Sequence, residues 1–248
     1  MKPFDKKYVL DKIEEYNKKI KANTIGEFEI KVVNGLQGII NHYMYSIKED
    51  INIDILELHN KENVWMRLTP YEVEASYFAI NMAKGKVGIV GLGLGYVVEE
   101  MAKNKKVKEI IVYEISQDVI DLYYENFPNN KKIKIIHGDA FDAKGEEFDF
   151  FYCDIYQYKL TSQIVKDYKK LNEIHNIEEY SFFGMEHFLL SCSYEQIVWV
   201  YIPENWMESS KRAYNAMQEN DLLKYYEKLD ENLVSQVLED FKIVLNEL

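Results

Sequence analysis

The chain has 248 residues, 47% of them apolar, with 42 acidic against 30 basic side chains and a net charge of −12. That is enough apolar material for a sizeable core, no apolar run approaches the ~20 residues of a membrane helix, and the acidic balance argues against an extended nucleic-acid surface, which needs clustered Lys and Arg. Two cysteines, Cys153 and Cys192, give neither a disulfide framework nor a zinc spacing, and Met1-Lys2-Pro3-Phe4-Asp5-Lys6-Lys7 has charge with no apolar stretch behind it, so no secretory signal is expected and a cytoplasmic setting is the default.

Tyr8, Val9, Ile13, Tyr16 and Ile20 recur at helical spacing within residues 5–22, which predicts an amphipathic helix packed on the body or on a second subunit. Ile25 to Val33 and Gly38 to Tyr45 read as strands around an Asn34-Gly35 turn. Ile51 to Leu58 alternates in part, His59 to Asn63 is turn-like, and Val64 to Leu68 reads as a returning partner. Together they predict a small antiparallel β cap of about 40 residues. Thr69-Pro70 then suits a helix start, with Thr69 as N-cap and Glu72 at the capping-box spacing; the helix runs through Tyr77, Phe78, Ile80 and Met82 to Gly85.

The rest of the chain is organised around Lys86-Val87-Gly88-Ile89-Val90-Gly91-Leu92-Gly93-Leu94-Gly95, followed by the amphipathic Tyr96 to Ala102. That order reads as a buried strand, a tight turn and a helix start, whose free N–H groups and absent Cβ atoms admit a ligand close to the backbone. The spacing is G-x-G-x-G. Tyr96 stands where the last glycine of the dinucleotide form G-x-G-x-x-G would fall, which argues against a nicotinamide dehydrogenase. Lys108 to Glu114 reads as a second buried strand ending in an acid about 20 residues past the turn, where a carboxylate can accept ribose hydroxyls. Ser116 starts a helix with Val119, Ile120, Tyr123 and Phe127 on its buried face, stopped by Pro128-Asn129-Asn130. Lys132 to Ile136 is a third strand running into His137-Gly138-Asp139-Ala140, and Phe148 to Cys153 is a fourth, ending at Asp154. Three carboxylates and a glycine turn thus fall at the C-terminal ends of successive parallel strands, the edge where open α/β sheets bind ligands.

Residues 86–155 resemble the core of a class I S-adenosylmethionine-dependent methyltransferase, and more closely its spermidine synthase-like branch. The resemblance implies a Rossmann-like α/β sheet and a set of cofactor-binding positions. Gly91, Gly93 and Gly95 would cradle the methionine part of S-adenosylmethionine, Glu114 would hold the ribose, with Ile115 after it a further cofactor-binding position, and Asp139 with Ala140 would face the adenine. Ile89 is apolar as in the spermidine synthase-like branch, where many methyltransferases have an acid. Leu68 to Ala75 is similar to the acidic helix start that precedes the glycine strand there. The resemblance also makes Asp154 the candidate to hold or remove the proton of an attacking group. Two departures weaken a polyamine reading: no second acid or proline follows in Asp154-Ile155-Tyr156-Gln157-Tyr158, and Leu94 stands where an acid is usual.

Beyond Asp154, Leu160–Leu171, Ile177–Cys192, Glu204–Glu219, Leu222–Leu229 and Glu231–Leu248 read as helices, and Gln196 to Ile202 as one more strand. The expected organisation is an N-terminal helix and small β cap over residues 1–68, a Rossmann-like core over 69–203 and a helical region over 204–248. Gly184-Met185-Glu186-His187 places an acid and an imidazole on different sides of a helix, and the five histidines have no metal-ligand spacing. The expected activity is methyl transfer from S-adenosylmethionine to a small acceptor, with no nucleic-acid or membrane partner and a homodimer possible. Aminopropyl transfer and a non-enzymatic cofactor-binding role remain open.

Overall fold

The computed structural model describes residues 2–33, 41–47, 52–61, 63–156 and 158–247. Helix α1 (Lys6–Lys19) is capped by the Asp5 carboxylate, which accepts from the Tyr8 N–H at 2.8 Å, and it buries Val9, Ile13 and Tyr16. Strands β1 (Asn23–Ile25), β2 (Phe28–Val33), β3 (Ile55–Asn60) and β4 (Asn63–Arg67) then form an antiparallel sheet in that order, the cap expected from the sequence. Its details differ. The stretch read as one strand from Ile25 to Val33 is a hairpin that turns at Gly26, where φ is +56°. The third strand begins at Ile55 and runs through His59 and Asn60, which were expected in the turn. The Asn34-Gly35 turn and the start of the Gly38 strand lie outside the described residues; further on, Tyr45 is in an isolated β-bridge with Tyr226 and not in a strand.

Helix α2 (Pro70–Met82) delivers the chain to β5 (Gly85–Val90). Helix α3 (Tyr96–Lys103), β6 (Val107–Glu114), α4 (Gln117–Asn126) and β7 (Ile133–His137) follow. Next come β8 (Glu147–Phe148), β9 (Phe150–Cys153), α5 (Gln163–Ile174), β10 (Asn176–Ile177) and β11 (Tyr180–Phe182). Five strands form one parallel sheet in the order β11-β9-β5-β6-β7, while β8 and β10 pair separately. This is the Rossmann-like α/β sheet expected from the sequence. Both faces are covered, so its strands are apolar on both sides. Val87, Ile89, Ile110, Val112, Phe150 and Tyr152 belong to the core shared with α1 to α4. The alternate residues Val90, Ile111, Tyr113, Phe151 and Cys153 pack into a second core with α5 and the C-terminal helices. Strand order reverses at β5, with β6 and β7 on one side and β9 and β11 on the other. The crevice above that reversal is where such sheets take ligands.

The chain ends with α6 (Met185–Ser191), α7 (Tyr194–Ile197), α8 (Glu204–Glu219) and α9 (Glu231–Glu247). Three expectations are corrected here. The fifth sheet strand is Tyr180–Phe182, inside the stretch read as a helix from Ile177 to Cys192. Gln196 to Ile202 is not a strand: Ser193 and Gln196 close a reciprocal cap that starts a single helical turn, and Val198, Trp199 and Tyr201 lie exposed on the surface. The Leu222–Leu229 helix shrinks to one 3₁₀ turn, Leu223–Tyr225. Among the described residues no helix is long and apolar enough to cross a membrane.

Candidate active site

One cavity of about 410 Å³ opens above the C-terminal ends of β5, β6 and β9 and below the cap. Gly91 and Gly93 form its floor. Gly91 sits at φ +96°, and a Cβ there would lie 2.6 Å from the Asp154 carbonyl oxygen; Gly93 sits at φ +51°, and its Cβ would lie 2.4 Å from Met66 Sδ. Both positions need a residue without a side chain. Glu114, at the end of β6, has both oxygens held: Oε2 accepts from the Leu92 N–H at 3.0 Å and Oε1 from the Ser116 N–H at 2.9 Å. Each oxygen keeps a second lone pair for a ligand hydroxyl. Ile115 follows at the rim, 65% exposed. Asp139 caps the 3₁₀ turn Ala140–Asp142 by accepting from the Phe141 N–H at 2.9 Å, and it joins Ala140 in the lining.

Asp154 closes the far end of the floor. Six of the seven cofactor positions expected from the sequence therefore meet in one cavity with Asp154. Gly95 does not line it. This glycine caps α3 at φ +78°, and a Cβ would lie 2.7 Å from the Tyr123 ring, so its contact is with α4. His137 stands outside the lining, its Nε2 3.2 Å from the Ile115 carbonyl oxygen. Glu186 and His187 face apart: Glu186 is buried against the Tyr43 and Ser209 hydroxyls, while His187 Nε2 meets the Glu227 carbonyl.

The cavity also contains Tyr156 and Tyr158, from the loop where the sequence allows an aromatic wall, and Glu72, whose place in the cavity the sequence does not show. Glu72 belongs to α2 and was read as a helix-capping acid. Thr69 makes no side-chain cap, and Glu72 is instead turned inward, 2% exposed, in the cavity wall. The Tyr158 hydroxyl donates to Glu72 Oε2 at 2.9 Å, and Glu72 Oε1 has no hydrogen-bond partner among the described residues. Burial raises the Glu72 carboxyl well above its ordinary range, and the Asp154 charge raises it further against the pull of the Tyr158 hydroxyl. Burial pushes Asp154 itself from 3.8 up to about 7. Around this acid pair stand aromatic rings, Tyr158 packing edge-on against Tyr71 at 4.8 Å and Phe183 at 5.3 Å. Tyr158 holds φ +51°, a conformation a tyrosine adopts only under constraint. Tyr156 is a wall fixed from behind, its hydroxyl 3.1 Å from Asp167 Oδ2. Trp65 and Met66 come from the cap, and Met66 Sδ accepts from the Leu94 N–H at 3.3 Å.

The lining thus carries four carboxylates, Glu72, Glu114, Asp139 and Asp154, and no Lys, Arg or His among the described residues. Such a cavity suits a cation and repels phosphate.

No family model matches the chain, and no curated protein matches it. Among solved structures it is similar to spermidine synthase from Thermotoga maritima, at 14% identity over 81% of this chain and 62% of that one, with a TM-score of 0.40. It is similar to the 23S rRNA methyltransferase ErmE at 23% identity over 44% of this chain and 43% of that one, TM-score 0.35. A ribosomal protein L11 methylase from Lactobacillus delbrueckii subsp. bulgaricus gives 18% identity over 61% and 69% of the two chains, TM-score 0.38. The chain spans less than two thirds of the length of the first two. With identities below 25% and TM-scores below 0.5, no activity follows from these likenesses.

Proposed function

We propose that the protein is an S-adenosylmethionine-dependent methyltransferase acting on a small acceptor. The observation that carries this reading is the charge of the cavity: four acids without a basic side chain among the described residues, at the reversal point of a Rossmann-like sheet. A dinucleotide would bring phosphates to these acids, whereas S-adenosylmethionine brings a sulfonium and an ammonium. When bound, the cofactor supplies a methyl group on that sulfonium. Gly91 and Gly93 would leave room for its methionine part, Glu114 would accept the ribose hydroxyls on the lone pairs its backbone donors leave free, and Ile115, Asp139 and Ala140 would complete the cofactor-binding wall. Asp154 faces the acceptor and takes the proton that its attacking nitrogen or oxygen loses, a role suited to a carboxyl held at about 7. The acid lining favours a neutral or cationic acceptor, an amine above all, over a phosphorylated one.

The second reading, aminopropyl transfer from decarboxylated S-adenosylmethionine, is favoured by Glu72, which brings from α2 the second acid that the loop after Asp154 lacks. Calorimetric titration with S-adenosylhomocysteine and with decarboxylated S-adenosylmethionine separates the two. Micromolar binding of the first and weak binding of the second is the expected result. The reverse order establishes the aminopropyl reading, and binding of neither removes both.

A further inference from the structure

Glu72 and Asp154 reach the same cavity from different elements, the first turn of α2 and the loop that follows β9. Helix α2 buries two acids, and their surroundings differ. Glu74 is held by the Tyr43 N–H and the Tyr45 hydroxyl, whereas Glu72 has one oxygen unpartnered among the described residues and a second carboxylate close enough to repel it. Burying an unpaired acid is costly, and two together cost more. The fold nevertheless holds Glu72 in place: the Tyr158 hydroxyl binds it at 2.9 Å and also lies 3.2 Å from the Arg67 carbonyl, tying the loop after β9 to α2 and the cap. The Asp154 backbone is packed on Gly91, so the pair adjoins the glycine turn directly.

We propose that Glu72, held by Tyr158, forms with Asp154 a two-carboxylate charge site that selects a positively charged sulfur over a neutral one. This rests on the cofactor reading given above. The consequence is a difference between the two sulfur species of the reaction: the sulfonium donor is attracted to the pair, and the thioether left after methyl transfer is not. The pair therefore retains the donor and lets the spent product go.

Among the described residues, the groups facing the pair leave it uncompensated. From α2 comes the Tyr71 ring, from β9 Tyr152 and from α3 Tyr96, all neutral, while the Arg67 guanidinium is engaged by Glu57. The phenols of Tyr71, Tyr152, Tyr96 and Tyr158 are all raised and stay protonated. Raising the pH strips protons from the pair and strengthens its attraction for a sulfonium without altering its contact with a thioether.

Titration of the full chain and its Glu72→Gln variant with S-adenosylmethionine and S-adenosylhomocysteine, at pH 6 and pH 8.5, tests this. The amide oxygen of the variant can still accept from Tyr158, and circular dichroism checks the fold; Asp154→Asn serves as the second variant. The native chain should gain preference for S-adenosylmethionine as the pH rises. At pH 8.5 that preference should fall about tenfold in Glu72→Gln, the equivalent of one pKa unit, with S-adenosylhomocysteine affinity unchanged. Ligand titrations are common to both proteins and cancel. Equal weakening of both ligands, or no change in either, overturns the charge role and leaves the cofactor reading standing. Binding of neither ligand to the native chain overturns both.

Discussion

At Gly95 the backbone sits at φ +78° and a Cβ would meet the Tyr123 ring, whereas at Gly91 it would meet the carbonyl of Asp154. The three alternating glycines thus serve two purposes, and substitution should separate them. Gly95→Ala places an alanine in the left-handed region, at a cost of about 1–2 kcal/mol, and it presses on α4 away from the cavity. Chemical denaturation should show that loss, while the affinity of the folded variant for S-adenosylhomocysteine stays within about twofold, a few tenths of a kcal/mol. Gly91→Ala should lose binding, because the new methyl displaces the Asp154 backbone from the floor. Equal binding losses in the two variants would show that Gly95 acts on the ligand after all.

Strand β11 is an edge strand of only three residues, and helix α8 seals it. Trp206 Nε1 donates to the Tyr180 carbonyl at 2.6 Å and Asn205 Nδ2 to the same oxygen at 3.1 Å. An unsealed edge is a template for pairing with other chains. The double variant Asn205→Ala, Trp206→Phe removes both donors, and Trp206 is fully buried. A loss of about 1–3 kcal/mol is expected from the unsatisfied carbonyl alone, with light scattering rising on mild heating. A variant that melts like the native chain and stays monodisperse would place the seal elsewhere. This element also shows where sequence reading stops. β5, β6, β7 and β9 were legible because each is an apolar run ending in a glycine turn or an acid, so local pattern and fold agree. Tyr180–Phe182 is too short to show a period, and its strand character comes from pairing with β9, Phe182 beside Cys153, across the whole of α5. Glu72 was legible as an acid near a helix start and misread as a cap. Its inward turn depends on Tyr158 and on burial by the sheet, contacts 86 residues apart in sequence.

Across the whole molecule the net charge is −12, and the cavity gathers four of the acids without a basic side chain among the described residues, so the free chain carries an electrostatic cost that grows with pH. Asp154 stands at about 7 in the folded chain against an ordinary 3.8. The folded state therefore holds a proton that the unfolded chain gives up. The stability this contributes is complete below pH 3.8 and is lost as the pH rises through about 7. Glu15 works in a different window: burial pushes it up, but Lys103, Lys19 and Lys12 hold it at about 2 against an ordinary 4.5. Its stabilisation is present above 4.5 and lost as the pH falls towards 2, so it does not vary over the range where Asp154 does. Asp154→Asn removes the alkaline loss and keeps the side-chain shape. At pH 8 the variant should melt higher than the native chain by roughly 3 °C or more, the shift that about 1 kcal/mol gives a protein of this size. At pH 4 the two curves should converge. Thermal unfolding of the ligand-free proteins across that range measures it. A variant that melts lower at pH 8 would mean that the Asp154 carboxylate is stabilised by a partner in the fold, and that the site does not trade stability for cation affinity.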